Sequence, residues 1–293
     1  MSEQGLMQKL KEQTRELRFS MKIIFKNPLS IIGLTIVACL LFVAIFGPQI
    51  APYNPIEINL DEKRQPPSMT HLFGTDNYGR DIFSRILYGA GISLYIAITA
   101  VGLSTIIGTS IGIISGYYGG KVDVIVMRVM DVILAFPGLI LAMGIASALG
   151  SGVTGAIYAT GIVGIPGMAR VVRAQTLSIR ENQYVEAARA SGASDLQIMM
   201  SHILPNVLSP IIVLATLRLG NAILIAAGLG FIGLGVQPPT PEWGVMVSEG
   251  RHYLIVGDWW MATFPGLAIA ITVLGFNLFG DGMRDILDPR VRR

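Results

Sequence analysis

The sequence predicts an all-α membrane protein with six transmembrane helices and both termini on the cytoplasmic side. Three observations carry this. Hydrophobic residues make up 52% of the 293 positions and charged residues only 14%, about half the roughly 25% of a soluble domain. The Asp-, Glu-, Lys- and Arg-free stretches 27–56, 86–120, 132–169, 196–217, 219–241 and 259–280 are nearly all long enough for the roughly 20 apolar residues that a bilayer requires. Lys and Arg fall unevenly between alternate loops, which assigns an orientation.

Taken in order, the spans are 29–47, 90–116, 124–148, 154–173, 207–235 and 260–281. A basic segment, 1–28, precedes the first. There Leu6, Leu10, Leu17, Phe19 and Ile23 alternate with Lys and Arg, as in a helix lying on the inner leaflet or an ordinary solvated one. The residues Phe46-Gly47-Pro48-Gln49-Ile50-Ala51 make a poor signal-peptidase site, so the first span is retained. An extracytoplasmic loop, 48–89, separates it from a five-helix core, 90–284, and a tail, 285–293, follows. Run 132–169 is too long for one span and is divided by Gly150-Ser151-Gly152. The two runs flanking Arg218 join into one helix, opened by Pro205-Asn206 and stopped by Gln237-Pro238-Pro239.

With the N-terminus inside, sixteen Lys and Arg lie on the inner side. Five lie outside: Lys63, Arg64, Arg80, Arg85 and Arg251. Sixteen against five decides for N-in and C-in.

Between the fourth and fifth spans lies a loop of about 35 residues from Arg170 to Pro205, long for a mere connection. Ser178 to Ala190 reads as a helix and Gly192 as its stop. Ser194-Asp195-Leu196-Gln197 reads as a capping box that starts a second helix. Two short helices meeting at a glycine make a knob projecting from the membrane.

The knob carries a resemblance. Glu186-Ala187-Ala188, three residues, Gly192, nine residues and then His202-Ile203-Leu204-Pro205 resembles the EAA loop of bacterial ABC-importer permeases, with His202 where that pattern has an aliphatic residue. His71-Leu72-Phe73-Gly74-Thr75-Asp76 with Gly79-Arg80-Asp81 and Ser84-Arg85 is similar to an element of the dipeptide, oligopeptide and nickel permeases. So are Pro238-Pro239-Thr240-Pro241-Glu242-Trp243-Gly244 and Gly280 to Pro289. The resemblance runs from about residue 29 to the C-terminus.

The resemblance implies an importer-type permease core in a bacterial or archaeal inner membrane. Its expected partners are a homologous second permease, two cytoplasmic ATPase subunits that carry ATP and Mg, an extracytoplasmic binding protein and membrane lipid, without nucleic acid. The expected coupling residues in loop 174–206 are Tyr184, Glu186, Ala187, Ala188, Gly192, Asp195, Leu204 and Pro205. Asp76, Arg80, Asp81, Arg85, Glu242 and Trp243 are the expected contacts for the binding protein, or else caps for the outer helix ends. Asp81 and Arg85, spaced i, i+4, are expected to pair on a short outer helix before the second span. The cargo is expected to be di- or oligopeptides, with nickel chelates, glutathione and oligosaccharides as alternatives.

Other patterns mislead. Gly108-Thr109-Ser110-Ile111-Gly112 fits the GxSxG of hydrolases, but inside a membrane helix its glycines, continued by Gly116, form a packing face. Gly228, Gly230 and Gly233 spell GxGxxG without the strand that a dinucleotide site needs; they read as softening the outer end of the fifth helix. No Walker A sequence occurs, so the chain is expected to bind no cofactor, to hydrolyse no ATP and to depend on an ATPase partner. The three histidines suggest no metal site, and the lone Cys39 excludes a disulfide framework.

Arg218 is the one charge at mid-depth in a predicted span. It lies about 16 Å into a hydrocarbon layer roughly 30 Å thick. A cation there is costly and faces a cavity or a partner. Arg218 and Asn221 therefore mark a candidate translocation pathway, in which Arg218 would contact a substrate carboxylate; the alternative for Arg218 is an ion pair with a partner permease or a bond to a backbone carbonyl. An ion-coupled transporter is the rival class, disfavoured because no span carries a carboxylate at mid-depth.

Overall fold

The computed structural model describes residues 27–287; the amphipathic segment before Asn27 and the last six residues of the tail lie outside the described part. Everything regular in that part is helical apart from one isolated bridge, Thr75 to Asp81. Inner and outer below mean the sides that the charge count assigns to the cytoplasm and to its opposite.

Helix α1, Pro28–Ile50, opens on an Asn27 side chain that accepts from Leu29 N, with proline at its start, where no N–H is missed. Much of it is exposed, as lipid contact demands. Its buried seam meets the last helix, α10 (Trp260–Leu287), at Gly33, where a β-carbon would sit 2.5 Å from Phe279 N.

Helix α2, Ile82–Tyr118, has 37 residues and at 1.5 Å each outruns the roughly 30 Å hydrocarbon layer. It starts eight residues before the predicted span because Asp81 is its N-cap, accepting from Ser84 N at 2.7 Å. Its main partner is α5, Val153–Arg180. Gly108, Gly112 and Gly116 form the contact: a β-carbon on Gly112 would lie 2.6 Å from Ala169 O and 2.7 Å from Val172 Cβ. The GxSxG pattern is a packing seam.

The third predicted span is not one straight helix. Helix α3, Gly120–Leu134, and helix α4, Gly138–Leu149, meet at a 92° bend. Pro137 is the cause: it lacks the N–H that would continue α3, and it pushes Phe136 out of helical geometry. The glycine turn that divides the long run is present, with Gly150 and Gly152 at φ +92 and +129. The described residues therefore hold five helices that are long and apolar enough to cross a membrane, or six spans if the bent pair counts as one.

Helix α5 continues seven residues beyond its predicted end, and the break comes at Glu181-Asn182. The knob is thus α6 (Gln183–Ala190) and α7 (Asp195–Ile198), the latter running through a π turn at Met199–Ile203 into α8, Leu204–Ile232. Gly233 closes α8 in the left-handed region at φ +86. The helix stays regular up to Ile232, so its glycines do not soften it; Gly230 instead lets Val245 N and the Glu242 side chain close against it. On the outer side a short helix, α9 (Trp243–Gly250), precedes α10.

Candidate functional site

The knob is rooted by apolar side chains. Val185 of α6, Ile198 of α7 and Ile203 of the π turn are fully buried, in one cluster with Ile113 and Tyr117 of α2, Met168 and Val172 of α5 and Val207 and Ile211 of α8. Three spans therefore meet under the knob. Burying each large aliphatic side chain there contributes about 1.5–3 kcal/mol, enough to make knob and spans move together.

Its upper surface is open. Tyr184, Glu186, Ala187, Gly192 and Asp195 are exposed, as is Pro205, while Ala188 and Leu204 are half-buried. Gly192 stands at φ +83 with nothing within 4 Å of a would-be β-carbon. Backbone conformation, not space, is what requires glycine there. The predicted cap is present in its first half: Ser194 Oγ accepts from Gln197 N at 3.3 Å.

Two residues that the sequence analysis did not single out tie the knob to α2. The Tyr117 hydroxyl donates to Asp195 Oδ1 at 2.7 Å, and the Arg189 guanidinium lies 5.6 Å from the centre of the Tyr117 ring. The neighbouring Tyr117 side chain holds the Arg189 pKa above its ordinary value. Arg180 Nη1 donates to Gly116 O at 3.0 Å and lies against Gly119, the positive-φ residue between α2 and α3. These groups line an open polar cleft of about 360 Å³ with Tyr118, Glu181 and Glu186. Tyr117 and Asp195 are 78 positions apart, and no local pattern announces such a pair.

At the opposite end the expected outer contacts form an internal network. Arg80 Nε bonds Asp76 at 2.6 Å, and Arg80 and Arg85 converge on Glu249 of α9 at 3.0 and 2.9 Å. Asp81 holds buried His71 at 2.9 Å. The expected Asp81–Arg85 pair does not form, because Asp81 is occupied by capping α2 while Arg85 turns to Glu249 and to Pro55 O.

Glu242 caps α9, accepting from Gly244 N and Val245 N at 3.0 Å and from Ser93 at 3.2 Å. Burial pushes its carboxyl above the ordinary 4.5. Trp243 donates to Ile86 O at 3.1 Å. All six side chains are buried, Arg85 to 1% exposure. The expectation that they touch a partner directly gives way to an internal role: they clamp the outer segment onto α2 and α9. Glu249, a lone carboxylate in an apolar helix, is the member that the sequence analysis passed over.

Arg218 does not point at a carboxylate. Its Nη1 donates to Gly164 O at 2.9 Å and its guanidinium fills the space left by the missing β-carbon of Gly167. Asn221, one turn on, is exposed.

A polytopic helical bundle with a knob rooted in three of its spans has the architecture of a membrane transport subunit. The chain belongs to the family described as binding-protein-dependent transport system inner membrane components, whose model matches residues 108–293. A second model, the N-terminal transmembrane domain of oligopeptide transport permease C, matches 19–67.

Over 275 residues the chain is 46% identical to the dipeptide transport system permease protein DppC of Alkalihalophilus pseudofirmus, covering 94% of this chain and 90% of that one. It is 47% identical to the probable D,D-dipeptide transport system permease protein DdpC of Escherichia coli K12, covering 90% and 88%. Among solved structures, the inward-facing MetNI methionine ABC transporter matches with a TM-score of 0.57 at 21% identity, over 69% of this chain and 95% of that one; this likeness supports the fold. The chain is accordingly a multi-pass inner-membrane permease subunit of an ABC importer, a transport component and not an enzyme.

Proposed function

We propose that this chain, with its N- and C-termini in the cytoplasm, forms half of a pore for di- or oligopeptides. A homologous permease supplies the other half. Two ATPase subunits hold the ATP and Mg; one docks on this chain's knob through the surface of Tyr184, Glu186, Ala187, Ala188, Gly192 and Asp195, with Leu204 and Pro205 joining it to α8, and the other docks on the second permease. A binding protein delivers cargo to the outer face, whose shape the Asp76–Arg80–Arg85–Glu249 network maintains. Arg218 and Asn221 lie along the route through the membrane.

The single observation that carries this reading is the knob, open above and rooted below in α2, α5 and α8 at once. ATPase closure that moves the knob must then move three spans. Two membrane states of modest energy difference are all that alternating access requires.

The test has two parts. Glu186→Lys and Gly192→Leu are expected to weaken co-purification of the ATPases while the chain still inserts in the membrane; unchanged co-purification and transport would overturn the docking role. Proteoliposomes holding the whole complex are expected to take up a labelled dipeptide with ATP and loaded binding protein. Uptake on an ion gradient alone would overturn the ATP-driven reading, and uptake of nickel chelate, glutathione or oligosaccharide in place of the dipeptide would replace the cargo.

A further inference from the structure

The Arg218 guanidinium reaches from α8 to α5, and within the chain it is only partly satisfied. Nη1 has Gly164 O at 2.9 Å, but Nε is buried without a hydrogen-bond partner. No carboxylate lies within ion-pairing distance of it among the described residues. In a hydrocarbon setting a cation left in this condition is expensive, and such residues sit where a ligand or ion passes.

The same place holds a second unsatisfied group. A cavity of about 40 Å³ between α2, α5 and α8 is lined by Arg218, Asn221, Ser104 and Thr160. Thr160 is buried, and its hydroxyl has no partner. Ser104 is satisfied by Val101 O at 3.0 Å, and exposed Asn221 stands at the rim. One fixed cation, one free hydroxyl and one carboxamide thus face a space that fits a single small ionised group and excludes a whole peptide.

The geometry points to a subsite for one carboxylate of the cargo during its passage, with Arg218 as the charge partner and Thr160 and Asn221 as neutral donors. This rests on the peptide reading, because an unmodified linear peptide presents a terminal carboxylate. The subsite is a specificity element of the pore itself, separate from whatever selection the binding protein makes.

The test compares labelled Ala-Ala with its C-terminal amide, in proteoliposomes containing the complete transporter and saturating loaded binding protein. Each substrate is measured with the wild-type chain and with Arg218→Gln. The binding protein's own preference is common to both chains and cancels in the ratio. Acid transport is expected to fall about ten-fold or more, the scale of a hydrogen bond to a charged group, with amide transport within about two-fold of wild type.

An equal fall for both substrates would overturn the subsite and leave Arg218 a structural role, such as its tie from α8 to Gly164 O of α5. If Arg218→Gln fails to assemble with the ATPases, Thr160→Val carries the same comparison: an acid-selective loss supports the subsite and no change in either substrate overturns it. Failure of the peptide reading looks different, since the wild-type complex would then move neither compound.

Discussion

Tyr117, at the inner end of α2, donates its hydroxyl to Asp195 on the knob at 2.7 Å. The bond links the longest span to the element proposed to meet the ATPases, while Arg180 holds the adjacent α2–α3 junction through Gly116 O. Displacement of the knob therefore reaches α2 through polar bonds as well as through packing.

Tyr117→Phe keeps the buried ring and removes that bond. The cost to stability is about 1 kcal/mol, so assembly and ATPase activity are expected to persist. Peptide moved per ATP hydrolysed is expected to fall by several-fold. A reconstituted complex in which that ratio stays at its wild-type value would show that α2 follows the knob through apolar contact alone.

Two glycines of α2 make an internal comparison. Gly112 is closed by Ala169 O and Val172, whereas Gly102 has nothing within 4 Å. Gly112→Leu would force α2 and α5 apart, at a cost of about 1–3 kcal/mol or more, and should lower the melting temperature in detergent. Gly102→Leu should melt within a degree or two of the wild type. Similar melting for the two variants would count against the seam.

Glu249 balances two buried arginines. Glu249→Ala strands Arg80 and Arg85 with only Asp76 between them, and breaking a buried pair costs roughly 3–5 kcal/mol. The expected outcome is early proteolysis of outer loop 51–81 with the inner knob still protected, read by limited digestion from each side of the membrane. Unaltered digestion would mean that packing alone holds the outer segment.

Glu242 gives a pH signature. Its carboxyl titrates above the ordinary 4.5 because burial disfavours the charged form, so the folded state binds the proton more tightly than the unfolded state. The contribution is fully present below about 4.5 and is lost as pH rises through the folded value. Glu242→Gln keeps an acceptor without the charge, so melting curves should show the variant gaining on the wild type as pH climbs through that window and holding a constant lead above it. A difference that shrinks as pH rises would reverse the assignment.

Element existence was legible in the residues because lipid imposes a length and a composition on every span. The divide at Gly150 and the cap at Ser194 were equally legible as local chemistry, whereas the stop expected at Gln237-Pro238-Pro239 falls earlier, at Gly233. The bend at Pro137 was available too and was outweighed by an apolar run long enough to suggest one helix. Helix α2 began early because the cap at Asp81 lies in a polar segment that hydropathy assigns to the loop.

The site divided along the same line. Glu186, Ala187, Ala188 and Gly192 stand in a pattern within one short segment, so the chain by itself determined the knob and the family. Which charges are buried, and with whom, was decided only by the tertiary structure. Arg85 with Glu249, Tyr117 with Asp195 and Arg218 with Gly164 are separated by 164, 78 and 54 positions. The energy of each pair depends on a distance that exists only once the helices have packed.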